Sequence, residues 1–109
     1  MPSVSVVKGD WGYYLNFNVT YSSGSSYDLT DQTVTLKIAD PSSSTNLITA
    51  TCEIVNATSG QCRYQMTAVN SALLSCQIYK AELEIKAGSA TTFTVPNLYI
   101  KVVTDMPAG

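Results

Sequence analysis

A chain of 109 residues has room for one domain, 1–109, and at that size roughly 65% of the surface exposed by the unfolded form is buried, enough for a core. The net charge is −2 and no two of the six basic residues are adjacent, so the electrostatic footprint of a nucleic-acid binder is missing. There is no His, the commonest general base and neutral metal ligand, and no apolar run approaches the ~20 residues of a membrane span.

Charged residues make up only 13%, about half the usual ~25%, with Ser, Thr, Asn and Gln in their place. That surface suits an extracellular or virion β module better than a cytosolic enzyme. The opening MPSVSVVKGD lacks the basic and apolar regions of a signal peptide. A mature fragment, or a protein used without secretion, is expected.

Taken in order, Ser3–Val7 alternates weakly and reads as a short edge strand. Lys8–Gly12, with two Gly around Asp10 and Trp11, reads as a turn. In Tyr13–Tyr21 the residues Tyr13, Leu15, Phe17, Val19 and Tyr21 fall on one face, and Tyr14, Asn16, Asn18 and Thr20 on the other. This predicts a long half-buried strand with Tyr21 inside. Ser22–Ser26 is a loop tip. Thr33–Ala39 alternates Val34, Leu36 and Ile38 with polar residues, and Asp40, Pro41 and Ser42–Ser44 end it.

Ile48, Ala50, Cys52 and Ile54 share a face of one further strand. Asn56–Gly60 is a turn, and Cys62, Tyr64, Met66 and Ala68 share a face on the return. From Val69 to Ala87 the composition favours helix. The helical stripe Val69, Leu73, Cys76 then runs onto Lys80 and fails, whereas Tyr79, Ala81, Leu83 and Ile85 alternate cleanly with Lys80, Glu82, Glu84 and Lys86. Gln77–Lys86 is therefore a predicted strand and Asn70–Ser75 a single helical turn. Ala90–Val103 carries the last strand or two, with Pro96 at a break or edge, and 105–109 is a tail. About seven strands and no long amphipathic helix predict an all-β fold, an antiparallel Ig-like β-sandwich.

Chemistry is sparse. Cys52 and Cys62 flank one turn; in a hairpin centred near Ala57 they lie nearly opposite, where a disulfide fits, or else they are two small buried hydrophobes. Cys76 reads as a core or loop thiol, and three Cys without His or CxxC spacing make a poor zinc site. Asp10, Asp28 and Asp31 read as turn-formers, since no calcium loop motif surrounds them. Glu82 and Glu84, between Lys80 and Lys86, read as a solvated charge ladder and not as a glycosidase pair. No catalytic residue, cofactor or metal is expected. Of the aromatic residues, Tyr13, Tyr21, Tyr64 and Tyr79 fall on predicted inner faces. That leaves Trp11, Tyr14, Tyr27 and Tyr99 for a surface.

Several landmarks together resemble the N-terminal domain of phage baseplate upper proteins. They are Gly9-Asp10-x-Gly12, Leu15-Asn16-Phe17, Asp28-Leu29-Thr30 with Thr33-Val34, and Gly60 before the strand with Tyr64. Tyr79-Lys80-Ala81-Glu82-Leu83-Glu84 and Thr94-Val95-Pro96 complete the set. Trp11 and the three Cys depart from that pattern. The resemblance implies a non-enzymatic structural module of a phage tail baseplate or host-adhesion device, assembled in the host cytoplasm and working by protein–protein contact. It implies tail or baseplate proteins as partners, or further copies of the chain, and neither nucleic acid nor membrane. Assembly in a reducing cytoplasm implies three free thiols. A carbohydrate-binding or adhesin module of a cell-surface protein is the alternative. Trp11, between two Gly beside Asp10, is the expected interface anchor, with Tyr14 and Tyr27 alongside; folding back over the end of the core is its other reading.

Overall fold

A computed structural model describes residues 3–21, 23–40 and 45–103. The expected stop at Pro41, the Ser42–Ser44 run and the tail at 105–109 lie outside the described residues. Among the described residues the chain forms eight strands and one helical turn: β1 (Ser3–Val7), β2 (Tyr14–Asn18), β3 (Thr33–Ala39), β4 (Asn46–Thr51), β5 (Glu53–Asn56), β6 (Gln61–Gln65), α1 (Ala68–Ser71), β7 (Ile78–Ala87) and β8 (Ala90–Val103). They make a five-stranded sheet in the order β1-β8-β7-β3-β4 and a three-stranded sheet in the order β2-β6-β5.

The alternation read from the sequence sets the inner faces. Val34, Leu36 and Ile38 of β3 and Tyr79, Ala81, Leu83 and Ile85 of β7 are all buried. They pair across the ladder, Leu36 opposite Leu83 and Val34 opposite Ile85. Leu15, Cys62 and Tyr64 of the small sheet join the same hydrophobic cluster, with Phe17 and Ile54 packed against it. Outside, Glu84 sits between Lys37 and Lys86, each at 3.3 Å, which makes the charge ladder an ion-pair network across β3 and β7.

Several expectations are corrected. The strand count is eight, not seven, and β1 runs parallel to β8, so the large sheet is not wholly antiparallel. The predicted strand Tyr13–Tyr21 is paired as a strand only from Tyr14 to Asn18. Beyond it the chain turns into a tip closed by a Thr20–Ser26 bridge, which breaks the alternation. Tyr21 is therefore 48% exposed, and Tyr27, carried back beside Val19, is buried. The single strand predicted through Ile48–Ile54 is two: β4 belongs to the large sheet and β5 to the small one, and the chain changes sheet at Cys52. The helical turn begins at Ala68, earlier than expected, and Ala68 is exposed instead of sharing the face of Cys62. β8 is one strand through Pro96, because a bulge takes up the proline where the register shifts between Ala81 and Leu83.

Candidate functional site

The loop between β1 and β2 is held from both sides. Asp10 N–H donates to Val7 O, Gly12 N–H to Met66 O at 2.7 Å, and Ser71 Oγ to Asp10 O at 2.8 Å. These bonds fix the loop against α1 and leave Trp11 pointing outward, 64% exposed. The reading in which Trp11 plugs the end of the core is not what the fold adopts. Thr67 caps α1 by accepting from Asn70 N–H at 3.1 Å, and Ser71 and Leu74 turn inward. Their neighbours in the chain, Val69 and Leu73, are exposed.

Tyr14 lies on the outer face of β2, 41% exposed. The Arg63 guanidinium stands 4.0 Å over its ring and is ion-paired with Glu53 at 2.6 Å. That carboxylate raises the guanidinium further above its ordinary value. Tyr14 also borders an apolar hollow of about 330 Å³, lined by Val4, Leu15, Phe17, Leu98 and Tyr99 among others. The hollow exists because β1 and β2 are edge strands of the two sheets and no strand closes the seam between them. Of the eight exposed large hydrophobics among the described residues, Val4 and Tyr14 line this hollow.

Tyr27 does not join it. Its ring stacks on Phe93 at 4.7 Å and is covered by Tyr21 at 5.2 Å, and its hydroxyl donates to Thr92 Oγ1. A ring 9% exposed cannot anchor a partner, so Tyr27 is withdrawn as an interface residue. Val69 and Leu73 are exposed instead. Their signal was present in the sequence as the stripe Val69, Leu73, Cys76, rejected as a core stripe because it ran onto Lys80; all three are exposed.

The cysteines are free thiols, Cys52 and Cys62 buried and Cys76 exposed. The hairpin is displaced from its expected centre: Ile54, not Cys52, stands opposite Cys62. The neighbouring Cys62 foremost, with burial, pushes the Cys52 thiol above the ordinary thiol range, and Cys52 in turn lowers Cys62. Asp28 is a turn-former as expected: its carboxylate accepts from the Thr30 hydroxyl and amide, which lowers it. Among the described residues no three His, Cys, Asp or Glu side chains gather at one point, and no helix is long and apolar enough to cross a membrane.

Compared with known families, residues 3–108 match the model of the BppU N-terminal domain, the N-terminal domain of baseplate upper proteins. No curated protein matches the chain.

Proposed function

Because the chain belongs to the BppU N-terminal domain family, a phage baseplate structural family, we propose that it is a non-enzymatic assembly module that holds other tail proteins by surface contact. The observation that carries this reading is the exposed Trp11 on a loop held by hydrogen bonds, with Tyr14, Val69 and Leu73 also exposed on β2 and around α1; we take these four as the docking corner. An exposed Trp on a fixed loop is the usual form of an interface anchor, since its large area desolvates at small entropic cost. The partner is another protein of the baseplate or host-adhesion device, docked on this corner after synthesis in the host cytoplasm. Two sheets sharing one hydrophobic cluster support an Ig-like sandwich as the scaffold.

Trp11 is the only Trp, so its emission reports the site directly. In the isolated chain it should emit red and be readily quenched by acrylamide. Trp11→Ala should leave the melting temperature nearly unchanged while weakening co-assembly with the neighbouring baseplate proteins by about 2 kcal/mol or more, roughly thirty-fold. Undiminished assembly of the variant would remove the corner from the interface. A shift of the same emission by soluble glycans would favour a carbohydrate-binding module instead.

A further inference from the structure

The two sheets are unequal in width, and the difference falls beside β2. Counted from the chain crossing at Cys52, β5 stands across from β4, β6 across from β3 and β2 across from β7, so β8 and β1 have no strand of the small sheet opposite them. The hollow of about 330 Å³ lies there, with Leu15 and Phe17 of β2 on one side and Val4, Leu98 and Ile100 of β1 and β8 on the other. Val4 shares the inner face of β1 with Val6, yet Val6 is buried and Val4 is 39% exposed. No residue of β6 lines the hollow, so it opens on the free edge of β2. The groups on that edge follow from the ladder. Val19 N–H donates to Gly60 O and Met66 N–H to Tyr13 O, so the odd-numbered residues of this stretch bond toward β6. The amides and carbonyls of Tyr14, Asn16 and Asn18 therefore point out of the open edge.

That edge is also undefended. Sheet edges are ordinarily blunted by charge, proline or a bulge. β5, the other edge of the small sheet, carries Glu53 and a register shift between Ile54 and Asn56. β2, Tyr-Leu-Asn-Phe-Asn, pairs without a shift and has neither charge nor proline. Resting on the reading of this chain as a module that holds other tail proteins, we propose that the free edge of β2 receives an extended segment of a neighbouring baseplate protein as a further strand of the small sheet, its inward side chains filling the hollow over β8 and β1. Main-chain hydrogen bonds to Tyr14, Asn16 and Asn18 supply the grip, and the hollow selects the alternate side chains. Charge complementarity sets the chemistry of the segment. No residue lining the hollow is charged, so the segment's inward positions are uncharged and apolar. The edge of a second copy does not fit. Two copies joined β2 to β2 about a twofold axis would place both large sheets on one side, where β8 and β1 of each reach past β2 and collide. A lone strand meets no such obstruction.

A displayed library of random dodecapeptides, selected against the full chain, tests this. Recovered peptides should alternate apolar residues. Their binding should survive Asn16→Ala, which removes a side chain, and fall about ten-fold or more in Asn16→Pro, which removes the outward N–H. That N–H is not bonded to β6, so the proline costs no bond of the ladder. Hydrogen exchange on the parent chain with a recovered peptide should slow the amides of Tyr14, Asn16 and Asn18 about ten-fold or more and leave those of Leu15 and Phe17, already in the ladder, as they were. This measurement decides the matter where Asn16→Pro does not fold. Recovery of no peptide, equal binding by a folded Asn16→Pro, or unchanged exchange at the three amides would overturn the proposal. So would slowing that grows with the chain's own concentration in the absence of peptide, which would assign the edge to a second copy. The same amides should be slowed in the co-assembly with the neighbouring baseplate proteins, and a co-assembly that leaves them fast would overturn the choice of partner. The selection itself contains no baseplate protein, so it can fail while Trp11→Ala still weakens co-assembly, and succeed where Trp11→Ala does not.

Discussion

Gly60 shows how tightly single residues are specified. It lies in the turn between β5 and β6 at φ +70°, a backbone region that L side chains rarely adopt. A Cβ there would run into the Val19 carbonyl oxygen and, at 2.8 Å, the Tyr27 carbonyl oxygen. Those two carbonyls belong to the tip that returns Tyr27 to the core. Gly88, at φ +64°, has nothing within 4 Å of the same added carbon. Gly88→Ala should therefore cost only the backbone term of about 1–3 kcal/mol, and Gly60→Ala clearly more, because backbone cannot step aside as a flexible side chain can. Urea midpoints of the two variants measure the difference, and equal midpoints would mean that the tip gives way freely. Glu84 belongs at this scale too. Lys37 foremost, with Lys86, holds its carboxylate below the ordinary glutamate range. A lowered folded value means that stability is fully present above the ordinary Glu pKa and is lost as pH falls through the folded one. Glu84→Gln should accordingly flatten the acid limb of the stability curve and leave its slope at alkaline pH as it was, which urea midpoints across pH will show.

Among the elements, those with a clean period of two were legible in the sequence. β3 and β7 were read with their phases correct because each is buried on one face and charged or hydroxylated on the other. β4 and β5 were not separated, since the alternation Ile48, Ala50, Cys52, Ile54 continues unbroken while the chain changes partners; period reports which face is apolar and is silent about which sheet receives it. The swap of Tyr21 and Tyr27 has a similar origin, for phase cannot be carried through a tip in which backbone bonds, Val19 N–H to Gly60 O and Tyr27 N–H to Val19 O, set the path. The proposed docking corner was half legible. Trp11 between two glycines signalled itself, whereas Val69 and Leu73 belong to a helical turn whose outward row resembled a failed inward one. That turn rests on its cap. Thr67→Ala should lower stability by about 0.5–2 kcal/mol, and Thr67→Ser should restore most of it, as chemical denaturation of the pair will measure. The cap also positions Ser71 against Asp10 O, so the Thr67→Ala chain should show altered Trp11 quenching, and unchanged quenching would separate the turn from the loop.

At the scale of the molecule the two sheets depend on each other. The small sheet has three strands, and its inner residues Leu15, Cys62 and Tyr64 are buried only because Val34, Leu36 and Leu83 of the large sheet belong to the same cluster. Taking that cover away would return the apolar inner face of the small sheet to water. The chain also crosses between the sheets at Cys52, whose amide is held by Val34 O, so peeling the small sheet away would pull on the end of the β3–β4 ladder as well. Unfolding should therefore be one cooperative event. Native-state hydrogen exchange is the sharper check, because it compares elements in a single sample. The amides of Cys62 and Tyr64 in β6 should exchange with the same opening free energy as that of Leu83 in β7, matching the value from denaturant melts. Faster exchange of β6 by more than about 1 kcal/mol in opening free energy would show the small sheet opening alone. In that case the proposed docking corner, whose Tyr14 belongs to the small sheet, would not be a fixed surface, and a partner would have to order it on binding.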